Sequence, residues 1–486
     1  MKALSRRTFL RVVFWKEIMN YLDYFKKIAG IPHGSGNTKM ISDYLKGFAK
    51  ERNLECYQDD LNNIIIIKEA SKGRENDEPV IIQGHMDMVA VKEDTCDIDM
   101  TKEGLRLNTD GDFLYAEGTT LGGDDGIAVA YALNLFDDDT LSLPRLEVVI
   151  TVDEEVGMEG ASAIDLSPLK GHTLINIDSE EEGIFLVSCA GGARVDFAYD
   201  CTKEPKVVPQ PGNKVYEIDM SGFLGGHSGT EIDKNRANAI RIMCRLLKKL
   251  SDTGFLLGLA DFNGGTADNA ICNGCKAVIL SKAIEPELFD MFKYEAIDKY
   301  FATEKDAKIT SRELDATPDF YQAGDFLHFL ISLPDGVQAM SKDIEGLVET
   351  SLNHGIIRME NGIVHLSLSV RSNIDAKKDE LIKTLRELAE IRPVKMSIRG
   401  EYPGWAYREN SPLRDKMVRV YKEMFDKEPK VEALHAGLEC GIFASKIKDL
   451  DCISFGPNIY DIHTVNERLS LSSSERMWEY LKKVLL

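Results

Sequence analysis

Four stretches of this chain are too apolar and too short for anything but interior strands. They are Asn63–Lys68 (NIIIIK), Pro79–Gly84 (PVIIQG), Leu146–Val152 (LEVVITV) and Thr173–Ile177 (TLINI). Short runs rich in β-branched residues, apolar on both faces, belong in a sheet covered on both sides. Gly126–Phe136 (GIAVAYALNLF) lies between them with the length and residues of a helix. Strands alternating with helices predict an α/β layer on a largely parallel sheet. Upstream, Asn20–Asn53 reads as helical, broken by Ile31-Pro32-His33-Gly34-Ser35-Gly36-Asn37, a Pro/Gly turn.

The pattern changes after Cys189-Ala190-Gly191-Gly192. Val215–Met220 and Val364–Val370 alternate apolar with polar residues, and amphipathic helices are expected over Asn235–Leu250 and from about Lys377 to Glu390. Half-exposed strands with helices predict a smaller two-layer α+β domain. Beyond Pro393 the chain returns to a strand, a helix over Pro412–Phe425 and a buried strand over Asp451–Phe455. The expected organisation is therefore a discontinuous α/β domain, 19–192 with 391–486, interrupted by an inserted domain at 193–390. No sequence repeat is evident. A chain of 486 residues has room for two or three such cores.

Charge narrows the partners. With 80 acidic against 59 basic residues the net charge is -21, which argues against nucleic acid or anionic membrane and favours a cytoplasmic protein. The nine cysteines lack a framework spacing and read as reduced thiols. The one CxxC, Cys272-Asn273-Gly274-Cys275, has no second pair and reads as two thiols near a turn. At the N-terminus, Ser5-Arg6-Arg7 resembles a twin-arginine signal. Its apolar stretch, Phe9–Trp15, is too short for one, so residues 1–18 are expected to be an extension before a true start at Met19.

The polar residues that follow the strands carry the chemistry. His85 and Asp87 follow the strand ending at Gly84. Asp153, Glu154 and Glu155 follow LEVVITV, and Asp178 follows TLINI. His463 stands in NIYDIHTVNE after the strand ending near Phe455, and Asp124 precedes a helix in TTLGGDDG. Each alone is an ordinary cap, turn or surface residue. Ligands in α/β sheets gather outside the carboxyl ends of the strands, however, and five segments deliver His or carboxylate there. Imidazoles with carboxylates and no usable thiolate suit zinc or a similar divalent ion. The ligands exceed one tetrahedral ion's needs and suit two ions sharing a carboxylate, a site that can activate a bridging water for attack on a carbonyl. Glu154 and Glu155 are adjacent, so in extended chain they face opposite ways: one can ligate while the other stands behind the ligands. Asp87 is placed to orient the His85 ring.

Together HMDM, GTTLGGDDG, DEEVGMEGA, NIDSEEEG, SGFLGGHSG and IHTVNE resemble the di-zinc exopeptidases, and within them the aminoacyl-histidine and cytosolic non-specific dipeptidase branch, from about Met19 to Leu486. The resemblance implies a catalytic α/β domain with an inserted α+β lid that makes a homodimer. It implies two divalent ions, zinc or else cobalt or manganese, with His85 and Asp178 on one, Glu155 and His463 on the other, and Asp124 bridging. Glu154 would be the general base and Asp87 the orienting residue. His227, in Leu224-Gly225-Gly226-His227-Ser228-Gly229, would stabilise the oxyanion across a dimer interface. Arg371 would grip the substrate carboxylate, with Asn263 and Gly437 in the same pocket, and His435 stays structural. The implied reaction is hydrolysis of dipeptides, Xaa-His among them. The alternatives are an N-acyl-amino-acid deacylase or tripeptidase on the same scaffold, a non-catalytic binding or assembly relative, and a redox role for Cys272 and Cys275.

Overall fold

The computed structural model describes residues 19–392 and 394–486. The expected extension, residues 1–18, lies outside them. The chain forms two compact units. Among the described residues, the first comprises the chain up to Glu182 with Arg419–Lys427 and Phe455–Leu486. The second comprises Gly183–Val418 and Glu428–Ser454. The borders drawn from sequence at 192 and 391 both fall inside the second unit.

In the first unit, α1 (Tyr21–Ala29) and α2 (Lys39–Glu51) are separated by the predicted turn. Asn20 caps α1 through a reciprocal bond with Asp23, which satisfies two otherwise orphaned N–H groups. The strands are β1 (Glu55–Gln58), β2 (Ile64–Lys68), β3 (Val80–His85), β4 (Leu107–Asp110), β5 (Phe113–Ala116), β6 (Leu146–Thr151) and β7 (Thr173–Asn176). The sheet runs β1-β2-β6-β3-β7. β3 lies parallel to both β6 and β7. β1 pairs antiparallel with β2, and β2 with β6, so the parallel order expected for most of the sheet is confined here to β6, β3 and β7. The cause is local: Asp59 turns the chain by accepting from Leu61 N and Asn63 N, too tight a connection for a parallel crossover. All four isoleucines of β2 are buried, as a strand covered on both faces requires.

The helix α3 (Gly123–Asp137) is buried almost throughout, from Gly123 to Phe136. It packs on β3 so closely that a Cβ at Gly84 would collide with the Asp125 carboxylate and Ala128. Glycine at that position is what lets the helix start reach the end of β3.

The second unit contains one long antiparallel sheet built from two halves of the same design. One half runs strand Asn213–Ser221, helix Ala239–Asp252, strands Leu256–Gly264 and Cys275–Lys282, helix Pro286–Ile297, strand Lys308–Leu314. The other runs strand Gly191–Asp200, helix Gly324–Ser332, strands Val348–Glu360 and Ile363–Ser372, helix Asp375–Glu390, strand Val394–Tyr402. In both halves the strands lie side by side in the order fourth, first, third, second. The two second strands meet antiparallel at Gly264 and Ile357. The first half is inserted in the second, between its first strand and first helix, so no simple sequence period marks the duplication.

Candidate metal centre

β3, β6 and β7 run parallel, so their carboxyl ends share one edge, and the predicted residues arrive there. His85 is the last residue of β3. Asp153, beyond β6, turns the chain with a left-handed backbone (φ 54°), and its Oδ1 accepts from Gly36 N at 2.6 Å. Asp178 follows β7. Asp124 and Asp125 open α3 with non-helical backbone angles that turn both carboxyls away from a regular helical path.

Asp124 is the hub. Its Oδ1 lies 3.1 Å from His85 Nε2, and its Oδ2 lies 3.2 Å from His463 Nε2. A second carboxylate approaches the same ring nitrogen of each imidazole. Asp178 Oδ1 is 3.7 Å from His85 Nε2, and Glu155 Oε2 is 3.0 Å from His463 Nε2. The arrangement is two His/carboxylate pairs sharing one aspartate. His85, Asp124 and Glu155, and likewise His85, Asp125 and Asp178, present ligand atoms within 4.8 Å of one another. The Oε1 of Glu155 is buried without a hydrogen-bond partner. A buried carboxylate oxygen left this way is costly unless something positive meets it.

The electrostatics point the same way. Burial opposes charge on both His85 and Asp124. For His85, the nearby carboxylates of Asp124, Asp178 and Asp87 outweigh burial and raise its pKa well above the ordinary value. For Asp124, His463 and His85 outweigh it and hold the carboxyl far below the usual range. Hydrogen bonds to Asp124 and Glu155 raise His463 to about 10. Burial lifts Asp178 to about 6, against the pull of His85, with help from Asp124 and Glu155. Burial, followed by Asp124 and Asp178, lifts Glu180 to about 8. Such a crowd of acids retains protons to limit its own repulsion, and divalent cations can take the place of those protons. The donor set of imidazoles and carboxylates fits borderline divalent ions.

Asp87 is buried and supports the site in a way the sequence did not foresee. Its main-chain carbonyl, not its carboxylate, accepts from His85 Nδ1 at 2.9 Å; the carboxylate stands at 3.6 Å. The carboxylate accepts from Ser35 Oγ at 2.8 Å and from Glu154 N at 3.1 Å. Asp87 thus touches both the His85 ring and the main chain that carries Glu154. Three residues at this edge escaped the sequence reading. Ser35 lay in a stretch read only as a turn. Asp125 was overshadowed by its neighbour. Glu467 stands four residues after His463, and that closeness to a ligand was a usable signal.

The remaining predicted residues belong to the second unit. His227 N–H donates to Glu231 Oε2 at 2.9 Å, and its Nδ1 accepts from Thr230 N at 3.2 Å, which leaves the ring proton to Nε2. Burial, then Arg371, lowers its pKa and keeps the ring neutral. Arg371 is 7% exposed; a terminal N–H donates to Tyr402 Oη at 3.1 Å, and its Nε has no partner. His435 is pushed down to about 3 by burial and then by Arg371. It accepts from Ser351 Oγ at 2.8 Å and donates to Asn373 Oδ1 at 3.2 Å, which agrees with a structural role. Asn263 is engaged within its own sheet: its amide donates to Asp261 Oδ1 at 2.6 Å and accepts from Met359 N at 3.3 Å. Gly437 lies in the bend between strand Lys430–Leu434 and helix Glu439–Lys446. Cys272 and Cys275 are buried in an apolar core and their pKa values are raised by that burial, which suits packing rather than thiolate chemistry.

This fold with its two-histidine acidic edge defines a metallopeptidase: the sequence profile of peptidase family M20/M25/M40 matches residues 81–486, and the chain belongs to that family. It is 36% identical over 473 residues to the cytosol non-specific dipeptidase of Escherichia coli K12, covering 95% of this chain and 96% of that one. The crystal structure of aminoacylhistidine dipeptidase from Vibrio alginolyticus superposes with a TM-score of 0.87 at 31% identity, covering 96% of each chain. Aminopeptidase PepT from Bacillus cereus shares the fold at a TM-score of 0.56 and 15% identity, covering 96% of this chain and 97% of that one. No helix among the described residues is long and apolar enough to cross a membrane.

Proposed function

We propose that this chain hydrolyses dipeptides, Xaa-His among them, to free amino acids. The carrying observation is the Asp124 carboxylate shared between two His/carboxylate pairs. In this reading His85 and Asp178 hold one divalent ion, Glu155 and His463 the other, and Asp124 both; zinc suits the donors, with cobalt or manganese as alternatives. Bound there, such ions would acidify a water and polarise the peptide carbonyl. Glu154 takes the proton from the attacking water and delivers it to the leaving amine nitrogen. Asp87 holds the His85 ring and the Glu154 main chain in register. His227 donates its Nε2 proton to the developing oxyanion, and Arg371 receives the substrate's free carboxylate. Asn263 and Gly437 complete the substrate contacts.

The reading includes a catalytic domain of 19–192 with 391–486, a lid of 193–390 that makes a homodimer, and a cytoplasmic location. The experiment is product analysis on metal-reconstituted protein with a dipeptide panel, tripeptides and acetylated amino acids. Preferred release of two free amino acids from dipeptides supports it. Preference for acetylated substrates or tripeptides favours the rival hydrolases. Mixing His227→Ala with Glu154→Gln subunits tests the dimer: donation across an interface restores activity, and donation within one chain does not.

A further inference from the structure

His463 is the most exposed of the candidate ligands, at 45% of its side chain, and the least anchored. It sits mid-loop, with a left-handed backbone (φ 60°), between the paired strands Ile459–Tyr460 and Arg468–Ser470. The ties of its loop are local: Thr464 Oγ1 donates to Asp461 O at 2.7 Å, Glu467 N to Thr464 O at 3.1 Å and Asn466 N to Thr464 Oγ1 at 3.1 Å, and Asp461 pairs with Arg468 at 3.3 Å. An imidazole on such a loop needs an external reference to meet Asp124 from the correct side.

Glu467, the last residue of the loop, supplies that reference. It is 3% exposed, and its carboxylate is aimed at the main chain just before Asp124. Oε2 accepts from Leu121 N at 2.8 Å and Gly122 N at 3.1 Å, and Oε1 accepts from Gly123 N at 2.7 Å. Three N–H groups converge because Gly122 takes a left-handed backbone (φ +67°) at the start of α3. Gly123 N is the first orphan donor of the α3 N-terminus, with Leu121 N and Gly122 N just ahead of it, and a buried negative charge is best tolerated there. One side chain thus bolts the loop bearing His463 to the loop bearing Asp124.

We propose that Glu467 is a positioning residue that registers His463 against Asp124 and so sets the cation position offered by His463 and Glu155. The inference rests on the two-ion reading above. A glutamine cannot replace Glu467, because its amide would set one donor against donors.

The test is zinc titration of metal-free protein against a chromophoric chelator, with circular dichroism to verify folding. Wild type is measured first; fewer than two zinc ions would overturn the two-ion reading and this inference with it. Glu467→Gln is then measured in two backgrounds. In His85→Ala, which leaves the His463 position, it should weaken zinc by ~10- to 100-fold, the usual effect of losing a group that orients a ligand. In His463→Ala it should change the remaining affinity little, because the residue it positions is gone. Should Glu467→Gln not fold, Glu467→Asp is measured in the same backgrounds, since a side chain one methylene shorter keeps the charge but cannot span all three N–H groups. Equal loss in both backgrounds, or no loss in either, would overturn the proposal.

Discussion

The two groups of polar residues in this molecule are built on opposite electrostatic plans. The sheet edge of the first unit gathers Asp87, Asp124, Asp125, Glu155 and Asp178 around two imidazoles, and its unpartnered buried atom is a carboxylate oxygen. The second unit gathers Arg371, His227 and His435 with no carboxylate bonded to the guanidinium, and its unpartnered buried atom is the Arg371 nitrogen. In the proposed reading, cations complete the first group and a substrate carboxylate the second. Each variant below disables one side of that contrast.

The largest effect is expected at the acidic edge. Glu154→Gln should lower kcat by ~100- to 10,000-fold, the usual contribution of a positioned acid/base. Zinc content, measured by elemental analysis, should not change; near wild-type turnover would remove Glu154 from the mechanism. His227→Ala should cost ~100- to 1,000-fold in kcat with metal content intact, as loss of one oxyanion donor does. Arg371→Met should act on binding: two or three charge-assisted bonds make a KM rise of ~10- to 100-fold reasonable for dipeptide acids. Dipeptide amides, which lack the carboxylate, should lose far less. An equal loss for both would break the anion half of the contrast.

The smallest effect is on stability. His463 is raised to about 10 in the metal-free fold, so its contribution is fully present below the unfolded imidazole value and fades as pH rises through 10. Asp178, raised to about 6, favours the fold while protonated and disfavours it as pH climbs from its unfolded value through 6. Both have the same sign but different windows: the Asp178 effect is complete near pH 6, and His463 carries the change above it, so the Tm of chelated protein should fall by a few degrees between pH 6 and 9. The Tm of zinc-loaded protein should fall less, since binding by the deprotonated ligands strengthens with pH. Calorimetry showing parallel pH dependence for both forms would contradict these shifts.

The two regions were also unequally legible. His85, Glu155 and Asp178 were visible because each follows an apolar run at a strand's carboxyl end, where the parallel order of β3, β6 and β7 leaves little choice of position. His463 and Asp124 needed the set as a whole. The closeness of Glu467 to His463 was legible, but its role was not, because three main-chain donors leave no trace in side-chain identity. Nor was the use of the Asp87 carbonyl in place of its carboxylate, which depends on how the chain bends after β3. In the second unit the elements were readable at Val215–Met220, Val364–Val370 and the two helices. The nested duplication was not, because one half interrupts the other and the matching strands share an order rather than a sequence. Asn263 was visible in FNGG; the bonds of its amide within its own sheet were not.

The central claim is that two cations complete the acidic edge. Chelated protein should be inactive, and stepwise addition of zinc should restore dipeptide hydrolysis to a plateau at two ions per chain. Fully active protein that carries no bound metal by elemental analysis would contradict the account.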